Sequence, residues 1–346
     1  MGYKKATIHD IARRLGISAS TVSRALHDHP RISVSMRKSV REVADELGYV
    51  PNIVASGLRK GRRNTFGVIV PHIDRHFFAQ VISGIEEVAN LAGCHVLVAQ
   101  TGESEEREKG LAMSLSSGLV DGVLVSVSME SHSSGHFKTM IDQGIPVVFF
   151  DRVPDEIAAD KVVVDDYFGA FQATEHLIQT GKKHIFHFAG PLHLNVYRDR
   201  QQGYLDALHK YKLPSLPGMV IHNTITREAG YLAMNSILGK KKRPDAILSA
   251  GDFSALGAML LTREKKLRIP EDIAFVGFAN EPFTELISPG LSSVDQHPVE
   301  MGRQAARLLL DRLEPAGQVQ VARKISLRPE LLIRNSSTVV RPVSLV

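Results

Sequence analysis

Arg24 stands in the run Ser18-Ala-Ser-Thr-Val-Ser-Arg24, where Val22, Ala25 and Leu26 share one helical face. Ala19, Ser20, Ser23 and Arg24 share the opposite one. A guanidinium on such a face can donate a bidentate pair to guanine O6 and N7, and small Ala19 and Ser20 let the helix approach base edges. Ser23 and Thr21 can reach phosphates. A second set of polar groups lies far downstream, where apolar runs stop: Asp151 after Val147-Val-Phe-Phe150, and Asp252 after the run 247–250. Carboxylates at such ends suit a bound molecule rich in hydroxyls. Enzyme chemistry has no comparable footing. There is no Walker loop, no GxGxxG after the first strand, no GxSxG elbow and no Cys–His pairing; no catalytic residue is assigned. His132 and His136 have i,i+4 metal spacing, but a glycine and two serines lie between them and no third ligand accompanies them. No metal site and no cofactor is expected.

The elements that must position these groups fall into two kinds. Thr7-Ile-His-Asp10 fits a capping box, and Ile8, Ile11, Ala12 and Leu15 then follow on one helical face. Gly16 stops that helix, Ser18 starts a second over 19–26, and a third runs from near Ser33 to Gly48, burying Val40, Val43, Ala44 and Leu47. Two short helices about a glycine turn are a helix-turn-helix pattern, whose second helix enters the major groove. Residues 1–63 carry 13 Lys/Arg against 5 Asp/Glu, a net +8, and the remainder carries −3 of the overall +5. A basic head on a slightly acidic body is the footprint of a nucleic-acid-binding module joined to something else.

From Asn64 onward strand-sized apolar runs at 66–70, 95–99, 123–127 and 146–150 alternate with helical stretches, and a second series follows at 184–188, 219–222, 246–250 and 273–278. This rhythm predicts βαβ units, parallel sheets and two similar lobes. Ligands of such sheets bind at the carboxyl ends of the strands, which puts a site in the cleft between the lobes.

The head sequence Ala6-Thr-Ile-His-Asp-Ile-Ala, then Gly16-Ile-Ser-Ala-Ser-Thr-Val-Ser-Arg-Ala-Leu26 and Gly48-Tyr-Val-Pro-Asn-Ile-Val-Ala-Ser-Gly-Leu58, resembles the lactose/galactose repressor (LacI/GalR) family, and the likeness continues over nearly the whole chain. The resemblance implies an all-α helix-turn-helix head plus an α/β two-lobed periplasmic-binding-protein-like domain. The domains expected are 1–50 for the head, 51–63 for a hinge helix and linker, and 64–346 for effector binding and dimerisation. Lobe 1 is expected at about 64–162 and 294–321, lobe 2 at about 163–293 and 322–346, with crossings near 162–164, 291–294 and 321–324.

It further implies a homodimer on near-palindromic operator DNA, with contacts from Thr7, Ser18, Ala19, Ser20, Thr21, Ser23 and Arg24. Asn52, Ala55, Leu58 and Arg59 would join them from the hinge. Pro51 and Gly57 make 52–58 a weak isolated helix; in the family it folds in the minor groove, where Leu58 matches a wedge between base pairs. Arg62 and Arg63 follow as phosphate contacts. For the effector the resemblance implies Asp74, Phe77, Phe78, Asp151, Arg200, Asp252, Asn280, Glu281 and Gln296, with one of the two phenylalanines in the pocket. Arg200 matches an effector-clamping arginine, whose planar fork suits vicinal hydroxyls or a carboxylate. The chain departs from the pattern at Gly277-Phe-Ala-Asn-Glu281, where the family's first acid is Ala279, leaving Asn280 or Glu281 to replace it.

The function expected is therefore that of a transcription regulator, a repressor, whose operator affinity follows a small-molecule effector. A sugar or sugar derivative is favoured and a purine is the alternative. A periplasmic transport receptor would explain the body but not the basic head. The lone Cys94, the polar N-terminus and apolar runs far short of the roughly 20 residues that span a bilayer predict a cytoplasmic protein, nucleoid-associated when on DNA. The absence of a leucine heptad after Leu327-Arg-Pro-Glu-Leu-Leu-Ile-Arg334 favours a dimer over a tetramer.

Overall fold

Each helix of the N-terminal unit begins on a hydroxyl residue suited to that end. The computed structural model describes residues 6–49, 63–240, 243–314 and 321–338, and the chain divides into two units, 1–63 and 64–346. Before α1 (Ile8–Leu15) the Asp10 carboxylate accepts from the Thr7 N–H at 3.0 Å and its hydroxyl at 2.7 Å. Gly16 then takes φ +67, a conformation that costs a glycine nothing. The Ser18 hydroxyl accepts from the Thr21 N–H at the start of α2 (Ala19–Leu26), and Ser33 does the same for Met36 at α3 (Val34–Glu46). Ile11, Val22, Ala25 and Val40 are wholly buried between the three helices, with Val43 and Leu47 half-buried against them. Ala19 departs from the expected outward face. It is half-buried against this core, because it lies three and seven residues before Val22 and Leu26 on the same stripe.

The larger unit holds two six-stranded sheets. The first has the order β11-β5-β4-β3-β1-β2, built from β1 (Thr65–Val70), β2 (His95–Gln100), β3 (Gly122–Val125), β4 (Val147–Phe150), β5 (Asp160–Val164) and β11 (Lys324–Leu327). The second has the order β12-β10-β9-β8-β6-β7, from β6 (Ile185–Phe188), β7 (Val220–Ile221), β8 (Ala246–Ser249), β9 (Ala274–Phe278), β10 (Ser292–Asp295) and β12 (Glu330–Leu332). All pairings are parallel except β10 with β12. Strands such as β3, β4 and β8 are buried along their whole length, as covering both faces with helices demands.

The chain leaves the first sheet after Val164, returns to that lobe after Asp295, and passes from β11 to β12 between Leu327 and Glu330. The first crossing falls at the end of the expected 162–164, the second just past 291–294 and the third several residues past 321–324, and 324–327 belongs to the first sheet, not the second lobe. The reason is that β10 (SSVD) and β11 (KISL) are short and half polar, so no apolar run marks them.

Among the described residues, eight helices of eight or more residues flank the sheets: α4 (His76–Leu91), α5 (Glu105–Ser116), α6 (Gly135–Asp142), α7 (Asp166–Gln179), α8 (Asn195–Lys210), α9 (Arg227–Leu238), α10 (Asp252–Glu264) and, after the single turn α11 (Phe283–Leu286), α12 (Pro298–Leu313). The pair α4 and α12 crosses at Gly84 and Gly302, where an added Cβ would meet a backbone oxygen at 2.0 Å. One apolar cluster ignores the lobe division. Val127, Val153 and Ile157 of the first lobe pack with Leu194, Val196, Tyr197 and Ala250 of the second. The lobes therefore share core, which seats α8 firmly against the end of β4.

Candidate functional site: an inter-lobe cleft and an exposed helix face

Strand ends of both sheets open on a cleft of about 340 Å³. Asp151 follows β4 at φ +58 and lines the cleft. It is 6% exposed, accepts from the Ser126 hydroxyl at 3.2 Å, and burial raises its pKa. Its backbone oxygen accepts from the Asn195 amide at 3.0 Å, and the same side chain accepts from the Val153 N–H at 2.9 Å. Next to it the buried Arg152 donates to both Glu103 oxygens, at 3.0 and 2.8 Å. Glu103 also accepts from the Met129 N–H at 2.7 Å.

Arg200, on α8, lines the opposite wall. Its Nε donates to Asp166 at 2.7 Å, one Nη donates to the Ala250 oxygen at 2.7 Å, and its plane lies 3.7 Å over the Phe278 ring. Asp166 is 2% exposed, and burial pushes its pKa up to about 7 against the pull of Arg200. Asp252 opens α10 almost wholly buried. It accepts from the Glu281 N–H at 2.9 Å and the Ser293 hydroxyl at 2.7 Å, and burial pushes it up to about 7. Gly277 leaves room for it, since a Cβ there would lie 2.0 Å from the Asp252 oxygen.

The structure brings Phe77, Phe78, Asp151, Arg200, Asp252, Glu281 and Gln296 together in this cleft. Phe77 and Phe78 are both nearly buried and both line it, edge to face with centroids 5.2 Å apart, so neither is only core. Two expected residues stand elsewhere. Asp74 is 77% exposed and outside the lining, with the His72 ring 3.7 Å away. Asn280 faces the crossover: its amide donates to Asp295 at 2.8 Å and its oxygen accepts from Arg334 at 2.9 Å. The strained backbone of Ala279 (φ +109) and Asn280 (φ +51) leaves Ala279 and Glu281, not Asn280, lining the cleft.

Sequence reasoning passed over Arg152, Glu103, Tyr197, Arg75 and Phe253, which also line the cleft. Two of these carried a signal. Arg152 directly follows Asp151, and Tyr197 lies one helical turn before Arg200. His136 meets no metal-like set. Its Nε2 lies 3.0 Å from the buried Glu108, His132 packs against the His193 ring at 4.4 Å, and no cluster of three metal-ligating side chains occurs among the described residues.

On the head, Ser20 and Arg24 are exposed and Thr21 and Ser23 half-buried on the open side of α2. The Ser18 hydroxyl lies 2.8 Å from those of Ser20 and Thr21, giving three hydroxyls at the helix start, where the dipole favours an anion. Thr7 is exposed at the start of α1, where it is bonded to Asp10. Asn52, Ala55, Leu58 and Arg59 lie outside the described residues.

Two family models match: bacterial regulatory proteins of the lacI family over residues 7–52, and a periplasmic binding protein-like domain over 174–337. The chain is 31% identical to the HTH-type transcriptional repressor PurR of Vibrio atlanticus, over 96% of this chain and 98% of the relative. It is similar to the transcriptional regulator CelR–cellobiose complex at 30% identity, 96% and 100% coverage and a TM-score of 0.72. The lac repressor dimer bound to operator and the anti-inducer ONPF shares the fold, with a TM-score of 0.85 at 24% identity over 97% of this chain and 100% of that one. A helix-turn-helix head and a two-sheet ligand-binding body, joined in one chain that matches these relatives end to end, place the protein in the lacI family of bacterial regulatory proteins: it is an effector-modulated, DNA-binding transcription regulator, not an enzyme.

Proposed function

We propose that this chain is a repressor whose operator affinity is set by a sugar or sugar derivative held in the inter-lobe cleft. The observation that carries the reading is the pairing of Asp151, Gln296 and the Arg200 fork with aromatic walls from Phe77, Phe78 and Tyr197. Paired acceptors and donors beside an apolar ring face suit a hydroxylated ring. The similarity to the CelR–cellobiose complex supports it. A purine is the second reading, supported by the several rings available for stacking and by the relatives named PurR. Effector binding is proposed to involve Phe77, Phe78, Asp151, Arg200, Asp252, Glu281 and Gln296. Asp74 and Asn280 act at most through the loops they hold.

Thr7, Ser18, Ser20, Thr21, Ser23 and Arg24 are the proposed DNA contacts of the head. Asn52, Ala55, Leu58 and Arg59 are the proposed contacts of a hinge segment over 51–63. The regulator acts as a homodimer in the cytoplasm and is nucleoid-associated when bound. Thermal-shift screening with sugars, sugar phosphates and purines tests the effector class. A ligand at about 100 times its Kd raises stability by roughly 2.7 kcal/mol. Operator titrations with and without that ligand then show whether it governs DNA affinity; a stabilising ligand with no effect on operator binding overturns the reading.

A further inference from the structure

The cleft holds more carboxylates than its own cations neutralise. Glu103, Asp151, Asp252 and Glu281 line it, and Asp166 stands behind Arg200. Against these are three guanidinium groups, Arg75, Arg152 and Arg200. Two are committed, Arg152 to Glu103 and Arg200 to Asp166. Arg75 stacks over the Phe253 ring at 4.3 Å, makes no ion pair within 4.0 Å among the described residues, and acts on Glu281 only from longer range. Asp151 has its nearest guanidinium nitrogen 4.0 Å away, and Asp252 is held by neutral donors alone.

Glu281 is the sharpest case. It is 7% exposed, lines the cavity, and its carboxylate accepts no hydrogen bond among the described residues. A buried carboxylate without donors is costly, and the cost falls if a ligand supplies a cation with several N–H groups. We propose that the cleft selects a polyhydroxylated ligand bearing a protonated amine, an amino sugar, with its ammonium against Glu281 on the second-lobe side. This rests on the reading of the cleft as a sugar site and narrows it. A hexose hydroxyl can donate to Glu281 but brings no charge to offset the excess of carboxylates, so the amine is the discriminating group.

Protons are the alternative means of neutralising the excess. Burial raises both Asp252 and Glu281, Asp252 to about 7. A bound ammonium removes the need for them, so at about pH 6, where the free amine is already charged, amine binding releases protons, whereas binding of a neutral hexose does not.

The test uses the full chain with glucosamine, galactosamine and mannosamine, each compared with its parent hexose and its N-acetyl derivative, by thermal shift and calorimetry. At least one amine binds tighter than its parent by about 10- to 100-fold, the range of a charged hydrogen bond, and N-acetylation removes the gain. Glu281→Gln, of equal volume, removes the preference for the amine. Calorimetry in two buffers of different ionisation enthalpy reads the proton release independently of that variant. A parent hexose that binds as tightly as its amine, an amine advantage that survives Glu281→Gln, or amine binding without proton release overturns the inference and leaves the sugar reading standing. Failure of all three amines to bind also overturns it, while the sugar reading is decided by the wider ligand screen.

Discussion

Arg24 is exposed on a helix whose other face is fully used by the head core, so its side chain is available to a partner outside the chain. Arg24→Ala is expected to cost about 1–3 kcal/mol on the preferred operator and to relax base preference at one position per half-site. Binding to an operator randomised at each position measures this, and unchanged preference would place another residue at the base edges. A buried residue carries the opposite lesson. His187, in the middle of β6, is wholly buried, donates to the Leu248 oxygen through Nδ1, stacks on Tyr204, and leaves Nε2 without a partner. Burial lowers its pKa to about 4. Its folded value lies below its unfolded one, so its contribution is fully present above about pH 6.5 and is lost as pH falls toward 4. At pH 5 that loss is about 2 kcal/mol. His187→Phe keeps the stacking and removes the ionisable ring. The variant should match the parent to within about 1 kcal/mol at pH 7.5 and exceed it at pH 5, in denaturant melts at the two pH values.

The first turn of α8 is the element that ties the cleft to the shared core. Asn195 spans the lobes, donating to the Asp151 oxygen and accepting from the Val153 N–H, both buried. Asn195→Ala leaves a buried carbonyl and a buried N–H unpaired, at about 1–3 kcal/mol each, and frees the segment that sets Asp151. We expect a lowered Tm together with weaker effector response; an unchanged Tm would show that the apolar seam alone fixes the lobes. How far such elements could be read in the sequence depends on whether the signal was local. The head was legible because Thr7, Gly16, Ser18 and Ser33 mark helix ends within three residues of the bonds they make. Helix starts in the body are less legible, as with α7 from Asp166 and α10 from Asp252, because their first residues serve the cleft and not the core. Asp166 could not be matched to Arg200, 34 residues away, from spacing. That Glu281 and not Asn280 lines the cleft goes with two positive φ values that Ala279 and Asn280 do not announce.

At the scale of the whole molecule the remaining question is how one head gains enough affinity and how the cleft can influence it. The outer edge of β2 pairs with no strand among the described residues, and Leu97 and Val98 on it are each 40% exposed. Leu91, at the end of α4, is 86% exposed close by in sequence, and Leu286 of α11 stands 80% exposed on the second lobe. Unpaired edges and exposed leucines are liabilities in a monomer. Burial against a second copy removes them from both lobes at once, as a two-fold self-complementary contact does. In such a dimer the two heads are linked, and the second half-site is bound at the effective concentration set by the link rather than from free solution. Leu97→Glu would place two carboxylates at one symmetric contact. It is expected to halve the mass seen in sedimentation and to lower affinity for a two-half-site operator by on the order of 100-fold. Affinity for an isolated half-site should stay within about threefold, since only the linkage is lost. If Leu97→Glu remains dimeric with unaltered operator affinity, while Leu286→Glu dissociates it, the contact runs through the second lobe alone, and the first lobe must influence the heads by another route.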